Sequence, residues 1–569
     1  MLILVLVVIL LLTYGVYGFT ERMIAERRAA EAYGRSVQAT AFAQSGIDLA
    51  ASVVTSRASD PANPVSLYHR PDLFGGIILE ESPTPSAIGR FSLVAPVEGD
   101  TSFQQVRFGL SDESGKLNLN AIASMELDEI QEATLLMYLP GMTEEIADAI
   151  LDFIDEDETI RLYGAESEYY EGLSPPYSSK NGPLDSIDEL LLVRGVTPEL
   201  LYGEDANRNG LLDQAENDGP ASPPFDDADG YLMPGWHSFL TIHSRESNSR
   251  ADGSKKIHIN QGLLDELYDL IVEELDDEEA ARFIIAYRMY GSDDVEQQEA
   301  SGGESETSGS QDGTEASTGS SGSRGGEQSG GSTSSGSMTA GEAESLDRAA
   351  GGLARALTGL QEGGAVTRGG LDLSKGAQVD VRSLYDLIDC QVDIPADEEA
   401  GTEAETITSP FLSSDLLTAY PYLYDNFALT ESSFVEGRVN VNEARYETLL
   451  GLPLMTPDVV DALVAGRVGP SGQALSEAPE RRTTAWLVAE GIVDVPTMRG
   501  LDRFLTGRGD VFKVQSVGFF DGGGPAARLE AVIDGTVVPA AIVSFRDLTD
   551  MGRGYSPSKL LPTGLQTSP

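Results

Sequence analysis

The sequence predicts an α+β protein whose N-terminal transmembrane helix continues into a helix lying on an antiparallel sheet, with a large helical domain inserted between the strands. Three observations carry this reading. They are an uncharged apolar run at the start, a strand-to-helix phrase repeated through the middle, and alternating strands near the end.

Residues 1–19, MLILVLVVILLLTYGVYGF, carry no charge, and a helix of roughly 20 apolar residues crosses a bilayer. Neither a basic leading region nor a small-residue cleavage site accompanies the run, so it reads as a retained membrane anchor. Arg22, Arg27, Arg28 and Arg35 follow the span and no basic residue precedes it. By the positive-inside rule that arrangement would hold the body in the cytoplasm. The conflict leads us to expect a translation start upstream of Met1, with a short basic leader ending in Gly. From Thr20 to Arg57 there is no proline, and Tyr33, Val37, Ala41, Ile47, Ala50 and Val54 recur at roughly helical spacing, so residues 20–57 extend the helix. Strands of the sheet are expected within 58–110.

Gly115-Lys116-Leu117-Asn118-Leu119-Asn120 returns as Lys256-Ile257-His258-Ile259-Asn260 and as Gly437-Arg438-Val439-Asn440-Val441-Asn442. Each copy reads as a short alternating strand entering a helix, with Asn placed to cap the helix start. A second element follows the first and third copies: LLMYLPGMTEEIADAIL at 135–151 and LLGLPLMTPDVVDALV at 449–464. Thr143 with Glu144 and Glu145, and Thr456 with Pro457 and Asp458, suit the first turn of a second helix. VRGVTPELL at 193–201 repeats the turn once more. These signals predict a helical domain over 111–295 with a helix-hairpin-helix-like motif, and a second such region over 431–508. No Ile, Leu, Val, Phe, Tyr or Trp occurs between Val295 and Leu346, so 296–345 is expected to be a disordered acidic Ser/Gly linker. Residues 346–430 read as an uncertain helical region. VFKVQSVGFF, DGGGP and AARLEAVID, with VVPAAIVSF at 537–545, predict antiparallel strands within 509–548. The Pro-, Gly- and Ser-rich stretch 549–569 reads as a disordered tail.

The 569 residues include 92 Asp and Glu against 38 Lys and Arg, a formal net charge of −54. Such a chain repels polyanions. Helix-hairpin-helix turns commonly aim backbone N–H groups at phosphates, yet the helix after Leu139-Pro140-Gly141-Met142 carries Glu144, Glu145, Asp148 and Asp152, and Leu454 takes the Gly position in the other complete copy. Packing modules are therefore expected, and no nucleic-acid partner. Cys390 is the single cysteine, which excludes an internal disulfide framework and a thiolate zinc site. No phosphate-binding loop, nucleophile elbow or HExxH motif occurs, and His69, His237, His243 and His258 lack ligand spacing. The chain is thus expected to be no enzyme and to take no small-molecule substrate. Arg508-Gly509-Asp510 reads as a chance tripeptide.

One motif carries metal chemistry. Asp205, Asn207, Asn209, Asp213 and Glu216 place oxygen side chains at positions 1, 3, 5, 9 and 12 of a calcium loop, Gly210 occupies position 6, and Leu211 offers its carbonyl at position 7. This predicts one calcium ion held as a structural clamp. Asp226, Asp227 and Asp229 read as a solvated turn. Asp152, Asp155, Glu156, Asp157 and Glu166 form a denser acidic group that suits calcium binding, helix capping or plain hydration equally.

These pieces together resemble the minor pseudopilin K family of type II secretion. The resemblance rests on the apolar helix, FGLSDESGKLNLNA at 108–121, LPGMTEEIADAILDFIDEDE at 139–158, GAESEYY at 164–170, YSSKNGPLDSIDELLLVRGVT at 177–197, RVNVNEA at 438–444 and the C-terminal strand pair. It implies a pilin-like fold interrupted by a helical domain, calcium in the soluble part, and assembly with other minor pseudopilins at the pseudopilus tip to support protein export. The soluble body would then lie in the periplasm. The family usually lacks an acidic residue near the helix start, and here none precedes Glu21. Two features depart from the family: the basic leader is absent, and the Ser/Gly insertion with 346–430 has no counterpart. The alternative from another class is a membrane-anchored helix-hairpin-helix protein for DNA binding or uptake.

Overall fold

The computed structural model describes residues 2–60, 65–84, 87–97, 100, 102–125, 127–221, 223, 226, 228–292, 367–396, 403–469, 475 and 478–562. The linker expected over 296–345 and the first part of the 346–430 region lie outside them. The chain divides into two units: Met1–Lys256 with Ser383–Tyr385 and Ser413–Pro569, and Ile257–Arg382 with Asp386–Leu412.

The first unit mixes helix and sheet and begins with one unbroken helix, α1 (Leu2–Ser59). Among the described residues it alone is long and apolar enough to cross a membrane, with a mean hydropathy of 2.6 over its most apolar window, none of which is buried. Its C-terminal half lies on an antiparallel sheet ordered β1 (Ile77–Glu80), β2 (Gly89–Pro96), β3 (Val511–Phe520), β4 (Ala527–Asp534), β5 (Ala541–Asp547). The two sequence-distant halves of the sheet meet where β2 pairs with β3, Gln515 opposite Val94 through Phe520 opposite Gly89.

The buried face of α1 is Ala39, Phe42, Ala43, Gly46, Ile47, Ala50 and Val54. Tyr33, Val37 and Ala41, which share the helical spacing, are exposed. Small residues, and not the bulky ones, set how closely the helix approaches the sheet: a side chain at Gly518 of β3 would run into the backbone at Ala39. Larger side chains then fill the flanks, with Phe42 edge-on to Phe520 at 5.4 Å between centroids and the Arg35 guanidinium 4.3 Å above the same ring.

The repeated phrases become matching joints. Leu117–Asn118 pairs in parallel with Leu240–Thr241, and Val439–Asn440 with Leu505–Thr506. In the first joint Thr241 Oγ1 donates to Glu113 at 2.5 Å and Lys116 Nζ to the same carboxylate at 2.7 Å. In the other, Thr506 Oγ1 donates to Glu246 at 2.6 Å and Arg438 Nη1 at 3.0 Å. The first Asn of the phrase takes the capping role expected from sequence. Asn118 Oδ1 accepts from the Asn120 N–H at 3.1 Å where the 3-10 helix Leu119–Met125 begins, and Asn440 Oδ1 from the Asn442 N–H at 2.9 Å. The second Asn is a tether. Asn120 exchanges two hydrogen bonds with the backbone of Leu184, at 2.8 and 2.9 Å. Asn442 instead donates to the carbonyls of Arg481 and Gly507, both at 2.8 Å.

Each of two joints leads into a helix pair. α2 (Glu129–Met137) starts on an Asp128–Gln131 capping box and is followed by α3 (Glu144–Ile154); α4 (Tyr446–Gly451) is followed by α5 (Pro457–Gly466). Gly141 turns the first pair at φ 70°, Gly195 repeats that geometry at φ 84°, and Leu454 adopts it at φ 63° in the second pair. A non-glycine residue there costs about 1–2 kcal/mol.

The tail is not uniformly disordered, which corrects the reading of 549–569. Within 549–562, Tyr555 and Leu560 are buried; the Tyr555 hydroxyl donates to Gln515 Oε1 at 2.9 Å and Ser92 Oγ to the Leu560 carbonyl at 2.6 Å. Spaced apolar anchors hold it despite its turn-rich composition. Residues 563–569 lie outside the described set.

In the second unit, helices Leu264–Leu275 and Glu278–Tyr290 pack together, and a hairpin pairs Gln391–Ile394 with Glu405–Thr408. The described part of 346–430 holds this hairpin and the helix Leu416–Asn426, so it is helical only in part. Asn260 exchanges two 2.9 Å hydrogen bonds with the backbone of Val381, the same tether that Asn120 makes. Buried Arg288 donates to the carbonyls of Ile259 and Val379, both at 2.7 Å.

The turn geometry makes an opposed pair of substitutions informative. Gly141→Val should lower stability by about 2 kcal/mol, because a Cβ there meets Leu200 Cδ2 at 2.8 Å and a β-branched residue is strained at positive φ. Leu454→Gly should be neutral or stabilising, since it removes that strain from a leucine that is 56% exposed. Urea unfolding of the body lacking the apolar run measures both, and a clear loss at Leu454→Gly would contradict the strain assignment.

Candidate metal centres

The first centre forms where α3 ends. Asp152 lies on the buried face of its last turn and Asp155 is its C-cap, so two carboxylates sit at the negative end of a helix, an arrangement that calls for a cation. The chain then folds back through Arg161 to Gly164 and presents Glu166, the residue before a short helix, Ser167–Glu171. Oxygens of Asp152, Asp155 and Glu166 all lie within 4.8 Å of one another, and among the described residues this is the carboxylate trio that converges so closely. Gly164 makes room for it, as a Cβ there would collide with the Asp152 carboxylate.

One guanidinium serves this cluster. Arg161 Nη2 lies 2.7 Å from Glu132 and 3.8 Å from Asp155, and its Nε lies 3.3 Å from Asp152. Asp155 Oδ1 and Glu166 Oε1 are buried without a hydrogen-bond partner, as is Asn181 Oδ1, whose backbone N–H donates to Phe153 O at 3.1 Å. Burial pushes the carboxyls of Asp152 and Asp155 up to about 6 and that of Glu166 up to about 7, with Asp157 and Asp152 adding repulsion at Asp155. Three converging carboxylates, two of them with an unpartnered oxygen, suit a hard divalent cation taking oxygen ligands. Of the five acids noted in the sequence, Glu156 and Asp157 face solvent.

The second centre is the 205–216 loop. Asp205 accepts from the backbone N–H of Asn209 at 3.0 Å and of Gly210 at 2.8 Å, while Arg208 and Gly210 take positive φ, 57° and 71°. The chain therefore turns sharply around the first carboxylate. Asn207 and Asn209 donate their amide groups to Asp213 Oδ2 at 2.7 and 2.9 Å, and Glu216 Oε2 accepts from the Asp213 N–H at 3.1 Å. Leu211 is buried in the sheet core. Asn207 Oδ1 is buried without a partner, and burial pushes Glu216 up to about 7 and raises Asp205. The donor set fits calcium: three carboxylates, two amides and the Leu211 carbonyl occupy one loop. A half-turn of the Asn207 amide about its last bond would offer oxygen to an ion instead of N–H to Asp213. The Asn209 amide is fixed in place, its Oδ1 accepting from the Leu211 N–H at 2.6 Å and its NH2 also donating to the Gly554 carbonyl.

Asp226 is a turn residue, accepting from the N–H groups of Asp218, Gly219 and Ala228 at 3.1, 2.8 and 2.7 Å. Asp229 accepts from Tyr231 at 2.7 Å, and Asp227 lies outside the described residues. The Arg508-Gly509-Asp510 tripeptide is structural: Arg508 lies 5.6 Å from the Tyr424 ring centre and Asp510 accepts from Ser247 N at 2.8 Å.

Parts of the chain are similar to known proteins. Residues 115–202, which hold the first centre and end just before the second, match the family model described as type II secretion system (T2SS), protein K. The chain is 32% identical over 106 residues to the putative type II secretion system protein K of Escherichia coli strain K12, covering 17% of this chain and 32% of that protein. It is 49% identical over 57 residues to type II secretion system protein K of Aeromonas hydrophila, covering 10% and 17%. These matches thus span a third or less of the relatives' length. The GspK-GspI-GspJ complex of the enterotoxigenic Escherichia coli type 2 secretion system aligns over 92% of this chain and 99% of the solved one, at 11% identity and a TM-score of 0.35.

The raised carboxyls fix a direction of pH dependence for metal-free protein. Groups whose folded pKa lies above the unfolded value near 4 bind more protons when folded, so stability is greatest below that value and falls as pH rises through about 6 to 7. In chelator, Asp152→Asn with Glu166→Gln should flatten the loss of melting temperature between pH 5 and 7.5. An unchanged pH profile in the double variant would show that the cluster does not titrate as a unit.

Proposed function

We propose that the chain is a protein K-type minor pseudopilin, a structural and non-catalytic part of a type II secretion apparatus. The observation that carries this is the match over 115–202, whose segment builds the acidic centre at the end of α3. In this reading the apolar half of α1 lies in the inner membrane, the body lies in the periplasm, and the rest of α1 on its sheet is a pilin-like module. The inserted helix pairs are helix-hairpin-helix-like packing elements. Other minor pseudopilins assemble with the chain at the pseudopilus tip and so support protein export.

Calcium is the proposed structural ion at both centres. Asp152, Asp155 and Glu166 would hold one ion, and Asp205, Asn207, Asn209, Asp213, Glu216 and the Leu211 carbonyl the other. A bound divalent ion would supply positive charge to the unpartnered oxygens of Asp155, Glu166 and Asn207. The DNA-binding alternative gains no support, because the exposed first turn of α3 bears Glu144 and Glu145, which cannot release phosphate counterions.

Calcium at about a hundredfold above its Kd should stabilise the fold by roughly 2.7 kcal/mol per site. Glu216→Gln and Glu166→Gln should each remove one site's share, whereas Asp218→Asn should leave both. The measurement is thermal unfolding of metal-stripped protein with calcium and with chelator, and identical melting in the two would remove calcium from the proposal.

Co-expression with the other minor pseudopilins of one secretion system should yield a stoichiometric complex in detergent, and the body should shift no DNA at moderate salt. Recovery of the chain alone, together with salt-sensitive DNA binding, would replace this reading with the DNA-uptake one.

A further inference from the structure

The two edges of the sheet are finished differently. β1 is a four-residue edge, broken by an irregularity between Ile78 and Glu80 and followed by Glu81, features that discourage a further strand. β5 runs for seven residues, and from Ala541 to Phe545 it carries no charge and no proline. Among the described residues it pairs with β4 alone. A bulge at Val543 leaves Ser544–Asp547 as the regular stretch, with Ser544 opposite Val532 and Asp547 opposite Leu529.

The apolar surface beside this edge is also unfinished. α1 packs over β2, β3 and β4. Ile542 and Phe545 pair with Ile533 and Ala531, core residues on the α1 side of β4. They therefore continue that face one strand further, yet remain 43% and 48% exposed. On the opposite face Arg546 is held by Asp188 at 2.6 Å and Ser186 at 3.0 Å, so that side is occupied.

We propose that β5 is the acceptor edge for an extended, cationic segment of a partner protein. That segment adds as a strand along Ser544–Asp547 and lays apolar side chains over Ile542 and Phe545. Backbone N–H and C=O groups supply the affinity in such strand addition, and alternate side chains supply the selection. Charge selects the sign of the partner: the chain carries a net −54, and exposed Asp547 and Asp550 flank the open stretch. A second copy of this chain would bring the same charge to the edge and is repelled. The inference stands on the sheet alone and holds whether or not the secretion reading does.

The test uses the full chain in lipid nanodiscs and a blocked seven-residue peptide alternating lysine and valine. Hydrogen exchange at Ser544–Asp547 should slow at least tenfold on adding the peptide. The glutamate–valine counterpart should bind at least tenfold more weakly, and the same peptide N-methylated at alternate amides should give no protection. Phe545→Lys, at a half-exposed position, should weaken binding tenfold with an unchanged melting temperature. Three results would overturn the proposal: no protection by the peptide, protection indifferent to N-methylation, or an edge already protected in a dimer of the chain.

Discussion

A carboxylate removed from water must find positive charge, hydrogen-bond donors or a proton, and this chain buries carboxylates at every joint of its first unit. Glu113 is answered by Lys116 and Lys513, which overcome its burial and hold it down at about 2. Glu246 is answered by Arg438, Tyr424 and Thr506. Those two sites are closed networks, and an unpartnered charge in either would cost several kcal/mol. At the end of α3 and in the 205–216 loop the pairing is incomplete, and oxygens of Asp155, Glu166 and Asn207 are left without partners. The contrast within one molecule separates carboxylates that tie strands together from those in open clusters.

The same contrast shows what a sequence can disclose. The 205–216 loop was readable as a motif because its oxygen-bearing side chains follow one another along the chain, so spacing alone marks it. The Asp152–Asp155–Glu166 trio was visible only as acidic density. Its convergence depends on a fold-back that seats Gly164 against Asp152, and that requires tertiary contact. In α1 the spacing of apolar residues marked a helix without separating exposed Tyr33 and Val37 from the buried face, where close packing selects Ala39, Ala43 and Gly46. The strand-to-helix phrase announced a repeat, yet its Asn residues turned out to reach loops 64 and 121 positions away, at Leu184 and Val381.

Duplication of the joint gives the inserted region a simple logic. Each of the two joints in the first unit brings a basic residue and a threonine onto one glutamate carboxylate, then spends its second Asn on a distant backbone. Changing one member leaves the others buried and unpaired, so these positions should vary together and not singly. Leu454 departs from the glycine of its sister turns while keeping their backbone, which shows that the turn geometry is imposed by the packing of α4 and α5 and is merely eased by glycine.

α1 has a mechanical corollary. Its 58 residues, at about 1.5 Å each, make a rod roughly 87 Å long, with no break between the exposed apolar end and the portion clamped under Phe520. Such a strut transmits axial load without a hinge, and it also works as a lever. A tilt of about 10° at its apolar end would carry the clamped sheet sideways by about 10 Å, taking the lever arm from the same rise per residue. The orientation of the first few turns therefore sets the position of everything built on the sheet, and a hinge inserted near Arg28 would disconnect the two while leaving every folded contact intact.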